Sequence, residues 1–157
     1  MHTVHRARID APPEAVFALA RDVEAWPRLL SDYRWCRVLE RSPNRVVFAM
    51  GGWVRGWPAR WTAVQEAHPA DGRLRFVHIR GITTGMVVEW RLAARGRGVE
   101  VEIVHDLVMR WPLIGRLVGD LIVGPLFIDH IARRTLRAVK AHAEARVRRG
   151  TPEGVPR

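Results

Sequence analysis

The feature that most constrains this chain is a change of hydrophobic period in its last third. From 84 to 109 the apolar residues alternate with polar ones. Met86, Val88, Trp90 and Leu92 share one face, with Val87, Glu89 and Arg91 opposite. After the turn Arg95-Gly96-Arg97-Gly98, the residues Val99, Val101, Ile103, His105, Leu107 and Met109 share one face, with Glu100, Glu102 and Asp106 opposite. A period of two with one wet face describes antiparallel strands covered on one side only. Further on, Phe127, Ile128, Ile131, Ala132, Thr135, Leu136, Val139 and Ala143 recur at intervals of three and four, which is an amphipathic helix. Its other face carries Arg133, Arg134, Arg137, Lys140 and Arg146. A sheet with one apolar face and a long helix with one apolar stripe bury each other most simply by packing together, an α+β arrangement.

The remaining segments fit that frame. Residues 3–10 alternate weakly, with His5, Ala7 and Ile9 on one face, and read as a first strand ended by Pro12-Pro13. Asp10 is a candidate cap for the helix that follows, whose apolar face is Val16, Phe17, Leu19 and Ala20, and Pro27 suits the first turn of a second short helix through Leu30. Strands are expected over 33–40, 45–50, 57–66 and 73–80, separated by Ser42-Pro43-Asn44, Gly51-Gly52, His68-Pro69-Ala70-Asp71-Gly72 and Gly81. Leu113–Val123 reads as a shorter helix, with Gly124-Pro125 marking a bend. The chain is long enough for one domain, expected over 1–148, with 149–157 as a disordered tail.

Three numbers bound the class. The net charge of +10 favours anionic partners such as an acidic membrane surface or a ribosome, or simply a solvated basic surface. The single cysteine, Cys36, excludes an intrachain disulfide and suits a reducing, cytoplasmic setting; it reads as a small core or cavity-wall residue. The apolar stretch 111–128 is interrupted by Arg116, Asp120, two prolines and three glycines, which argues against a membrane-spanning helix. The N-terminus lacks the apolar core of a signal peptide.

Motifs for nucleotide binding, a serine nucleophile or a zinc protease are missing, and the seven histidines lack metal-ligand spacing. No metal or cofactor is required by the pattern. His105 continues the apolar phase of Val101 and Ile103, while His78 shares its phase with Leu74, Phe76 and Arg80. Each reads either as a hydrogen-bonded core histidine or as a polar group on a cavity wall, where it could move protons near neutral pH. The seven tryptophans are core by default, but Trp61 and Trp90 on inward faces could also stack a flat ligand.

The opening segment Ile9–Tyr33, the segment Phe76–Trp90 and the terminal Ile128–Lys140 resemble the START-like (SRPBCC) superfamily, in its polyketide cyclase/dehydrase and coenzyme Q-binding branch. The resemblance covers roughly residues 4–145. It implies a helix-grip fold: a curved antiparallel β-sheet wrapped around a long C-terminal α-helix, with two short helices after the first strand, and an apolar ligand held between them. Trp26, Tyr33 and Trp90 match the pocket Trp, strand-opening Tyr and late-sheet Trp of aromatase/cyclase members. Those members also carry an arginine two residues after a serine in a central strand, where Trp61–Gln65 here offers Ala63 and Gln65. The coenzyme Q-binding and ribosome-associated relatives are similar in the apolar, Gly-rich segment 111–119.

The expectation is therefore a protein that binds a hydrophobic or aromatic small molecule in an internal cavity. Trp26, Trp35, Trp61, Phe76, Met86, Trp90, Ile131 and Thr135 would line it, and Tyr33, His78, Arg80 and His105 would handle protons or orient an oxyanion. As an enzyme it would be a polyketide cyclase/dehydrase. As a binding protein it would carry a lipid or quinone of the coenzyme Q type. A third reading is a ribosome- or RNA-associated protein using its basic surface. The sequence leaves its oligomeric state open.

Overall fold

The computed structural model describes residues 2–54, 56–81, 83–107 and 125–150. Strand β1 (His2–Ile9) is followed by helices α1 (Pro13–Arg21) and α2 (Trp26–Leu29). Six strands come next: β2 (Tyr33–Ser42), β3 (Arg45–Val54), β4 (Trp57–His68), β5 (Arg73–Gly81), β6 (Met86–Arg95) and β7 (Gly98–Leu107). Helix α3 (Pro125–Gly150) closes the described chain. The seven strands form one antiparallel sheet in the order β1-β7-β6-β5-β4-β3-β2. β1 and β2 are consecutive in sequence yet lie at opposite edges, so α1 and α2 bridge the two edges. This is the helix-grip architecture that the resemblance implied.

The core lies between the sheet and the helices. Ile9, Val16, Phe48, Met50, Leu74, Trp90, Val99, Val101 and Ile103 are almost fully buried, and Ile128, Leu136, Val139 and Ala143 of α3 join the same core at helical spacing. Burying each large apolar side chain contributes about 1.5–3 kcal/mol. Polar contacts then fix the helix on the sheet. Lys140 Nζ donates to the Arg8 carbonyl at 2.6 Å, Glu144 accepts from the Asp10 amide at 3.1 Å, and Arg134 pairs with Asp32 at 3.0 Å. The basic face of α3 is thus partly spent on internal latches, with Arg133 also paired to Asp129 at 3.0 Å.

Several local expectations are corrected. Pro12, not Asp10, occupies the N-cap of α1, and no side chain caps it. Asp10 lies too far back, and its amide is engaged by Glu144. Gly51-Gly52 does not end its strand: β3 runs through both to Val54. The glycines are there for close approach, because a Cβ on Gly52 would lie 2.2 Å from the Asp32 carbonyl oxygen, and one on Gly51 would lie 2.3 Å from the Trp35 ring. Gly52→Ala should therefore destabilise the fold by about 1–3 kcal/mol, read from a lowered urea midpoint at unchanged slope. α3 continues through Gly150, two residues into the segment expected as a tail. The expected helix 113–123, and the tail from 151, lie outside the described residues.

Candidate functional site

Between sheet and helices lies a cavity of ≈ 90 Å³. β3, β4, β5 and β6 supply Phe48, Met50, Ala59, Trp61, Phe76, His78, Met86, Val88 and Trp90, because inward positions alternate along each strand. Trp26 enters from α2, Tyr33 from the start of β2, Thr83 from the β5–β6 connection, Ile103 and His105 from β7, and Ile128, Ile131 and Thr135 from α3. No Asp, Glu, Lys or Arg is among these lining residues.

One side of the wall is a run of touching rings. Trp26 meets Tyr33, Phe76 and Trp90 with centroids 5.4, 5.7 and 6.2 Å apart. Tyr33 meets Trp61 edge-on at 5.9 Å, and Trp61 stacks on His78 at 6.1 Å and 15°. Such pairs prefer edge or offset geometry, which fixes the rings in place. Trp26 is held further by its Nε1, which donates to the Leu19 carbonyl at 3.3 Å. A rigid aromatic wall suits a flat ligand.

The polar groups of the wall are neutral at ordinary pH. Burial pushes the Tyr33 phenol up to about 12, against a hydrogen bond with Thr135 that lowers it, so Tyr33 stays a hydrogen-bond donor. Burial pushes His78 down to about 3, helped by nearby His105. His105 is pushed down to about 4 by burial and then by His5, with Asp106 opposing. The two imidazoles differ in their partners. His78 Nδ1 lies 2.6 Å from Thr83 Oγ1. His105 Nδ1 is buried with no hydrogen-bond partner. Behind His105, the His5 ring stands edge-on at 6.3 Å, and His5 Nε2 lies 3.0 Å from Asp129 Oδ1 without hydrogen-bond alignment.

Of the sequence candidates, Trp26, Tyr33, Trp61, Phe76, His78, Met86, Trp90, His105, Ile131 and Thr135 meet at this one cavity. Trp35 and Arg80 do not. The β2–β3 register slips between Tyr33 and Trp35, so Trp35 pairs with outward Gly51 and is 41% exposed. The β4–β5 register slips between Thr62 and Ala63, so His78 pairs with inward Ala63 while Arg80 pairs with outward Thr62 and is exposed. Each slip adds one residue and reverses the side-chain parity beyond it. Gln65 is buried but serves the fold, donating to the Arg21 carbonyl at 3.0 Å. Cys36 is half-buried against the core, outside the cavity wall, and its thiol is pushed up to about 11 by burial and the nearby Glu24 and Asp22. Sequence reasoning missed Phe48, Met50, Ala59, Thr83, Val88, Ile103 and Ile128 as lining residues. All but Thr83 follow from strand alternation or helical spacing once the inward phase of each element is fixed; Thr83 sits in a connection with no periodic signal. The expected segment 111–119 lies outside the described residues. Among the described residues no group of three His, Cys, Asp or Glu side chains is gathered as a metal site, and no helix is long and apolar enough to cross a membrane.

The chain is similar to known proteins over most of its length. A Streptomyces cyaneus protein named as a polyketide cyclase is 30% identical over 113 residues, covering 69% of this chain and 74% of the relative. One of the same name from Streptomyces halstedii is 32% identical over 114 residues, covering 70% of this chain and 96% of the relative. Among solved structures, the Zhui aromatase/cyclase from Streptomyces sp. R1128 superposes with a TM-score of 0.82 at 22% identity, over 99% of both chains. A START superfamily protein from Mycobacterium smegmatis superposes with a TM-score of 0.68 at 17% identity, over 96% of this chain and 99% of the other. Residues 9–126 match the model of the family described as polyketide cyclase/dehydrase and lipid transport, and the chain belongs to that family.

Proposed function

We propose that the protein holds a poly-β-keto chain in its cavity and closes it by aldol condensation and loss of water. The observation that carries this reading is the combination of an uncharged aromatic wall with one phenol and two neutral imidazoles, one of which has a buried nitrogen without a partner. An apolar pocket with a few polar groups orients a ligand while excluding water.

The chemistry asks little more. The carbon between two ketones bears the acidic hydrogen of such a chain. His105, neutral, takes that proton, and the resulting enolate carbon forms a bond to a carbonyl carbon further along. The oxygen of that carbonyl becomes an alkoxide, accepts a hydrogen bond from Tyr33 and takes from the His105 imidazolium the proton that His105 removed from carbon. His105 then takes a second proton from the neighbouring carbon and returns it to the departing hydroxyl, which leaves as water. His78, held by Thr83, orients a keto oxygen rather than moving protons.

The same wall without charge also suits a lipid or quinone carrier, and the family description includes lipid transport. Native mass spectrometry of the purified protein, with extraction of anything bound, separates the two. An empty protein that then binds a polycyclic phenol, read as saturable quenching of tryptophan fluorescence, is the expected result. Ile131→Trp, which fills the cavity from α3, should weaken that binding at least tenfold. A co-purified acyl lipid or quinone, with no phenol binding, would replace the cyclase by the carrier.

A further inference from the structure

The cavity wall runs on into an exposed hairpin. In β4, Trp61 and Ala59 line the cavity, and Trp57, next on the same phase, is 77% exposed. On the partner strand Trp53 pairs with outward-facing Pro58 and is 44% exposed. The end of the β3–β4 hairpin therefore presents one indole on each of its two faces. Both rings are among the exposed large apolar side chains of the described residues.

The charge around it is equally uneven. Three cross-strand rows of the outer face lie nearest the hairpin end: Trp53–Pro58, Trp35–Gly51–Arg60 and Arg37–Ala49–Thr62–Arg80. None contains an acidic residue, and Arg34, Arg37, Arg60 and Arg80 have no ion pair among the described residues. Further from the hairpin, by contrast, the outward arginines are matched: Arg45 to Glu40, Arg75 to Glu66, Arg91 to Glu89 and Glu102. Among the described strand residues, the arginines without an ion pair are those on the side of the exposed indoles.

We propose that this end of the β3–β4 hairpin docks the protein on an anionic lipid surface, with Trp53 and Trp57 entering the interfacial layer and Arg34, Arg60 and Arg80 facing lipid phosphates. Indoles favour the boundary between apolar and wet phases, and each basic residue near an anionic leaflet adds attraction. Indoles on both faces of a projecting end suit a medium that surrounds it. A single nucleic-acid strand would instead need its stacking rings side by side on one face. The docked end adjoins the cavity through the inward side of β4, where Trp57 is followed in phase by Ala59 and Trp61, so an apolar substrate or product has a route between cavity and lipid there. The surface does not depend on which reaction, if any, the cavity performs.

The test is co-sedimentation of the full chain with vesicles of phosphatidylcholine alone and of phosphatidylcholine mixed with phosphatidylglycerol. The expected result is retention on the mixed vesicles only, falling with salt. Trp53→Ser with Trp57→Ser, and separately Arg60→Gln with Arg80→Gln, should each weaken retention about tenfold or more. All four side chains are exposed, so the melting temperature should hold and report that folding is intact. No retention on anionic vesicles at low salt overturns the proposal. So does retention that neither pair of substitutions weakens, or binding of single-stranded RNA, lost in these variants, in place of vesicle binding.

Discussion

Lowering the pH from 6.5 to 4.5 should strip the protein of much of its stability before Glu89 and Glu144 begin to matter. His78 and His105 are buried at the cavity wall and are held at about 3 and about 4, against 6.5 for a free imidazole. The unfolded chain binds protons at both positions as pH falls through 6.5, while the folded chain resists until near pH 4. Stability is therefore fully present above pH 6.5 and is lost progressively below it. Together the two sites are worth on the order of several kcal/mol, a large share of the roughly 5–15 kcal/mol that holds a domain folded. The carboxylates act later. Glu89 is held below its usual range by its hydrogen bond and charge pairing with Arg91, and Glu144 by the Asp10 amide and Lys140, so their contributions vanish only as pH falls through values under 4.5. Melting temperatures taken between pH 7 and 4.5 should fall steeply, and the double variant His78→Gln, His105→Gln should flatten the curve. A wild-type melting temperature constant across that window would show that the two imidazoles are not buried as described.

How much of this was legible in the sequence comes down to parity. The alternation of Met86, Val88 and Trp90 and of Val101, Ile103 and His105 places those side chains on one face, and all but Val101 line the cavity. Alternation is a local rule, and it holds only while no strand gains a residue. Arg80 shares its phase with Phe76 and His78 in the sequence, yet the slip opposite Thr62/Ala63 turns it outward. Trp35 stands two residues from Tyr33 and should share its face, yet the slip between them sends its ring over Gly51 on the far side. A bulge is a property of two strands together, so no single-strand pattern reveals it. The same two slips move Trp35, expected as a lining residue, and Arg80, expected as a catalytic one, out of the cavity and onto the outer face of the sheet.

The glycines were misread for a related reason. Gly51-Gly52 looks like punctuation in one dimension, whereas in three it is where β3 passes the Asp32 carbonyl and the Trp35 ring with no space for a side chain. Helix α3, by contrast, was almost wholly legible, because helical periodicity depends on one segment alone. From Ile128 onward its apolar stripe packs as written, and what the sequence hid was the polar latch to β1 and to the loop before β2, since Arg8, Asp10 and Asp32 are remote in the chain.

Replacing His105 by Gln should reduce ring closure by about 10²–10⁴-fold while leaving binding of the polycyclic phenol nearly unchanged. Gln keeps the position neutral and of similar size, so it removes the proton acceptor without adding charge to the wall. Tyr33→Phe removes a donor to the developing alkoxide and should cost about 10²–10³-fold, again with binding retained. His78→Gln should cost far less, because His78 Nδ1 is already engaged by Thr83 and its place in the reaction is to orient. The order of effects, His105 and Tyr33 together well above His78, is what distinguishes acid–base work from mere packing. Burial alone would predict the reverse for the two imidazoles, since His78 carries the larger shift of the pair. Turnover of a poly-β-keto thioester by each variant, with phenol binding and melting temperature measured on the same samples, separates the contributions. If His105→Gln closed rings at the wild-type rate, the unpartnered nitrogen would not be the base, and the cavity would be better understood as a template that folds the chain and lets it cyclise unaided.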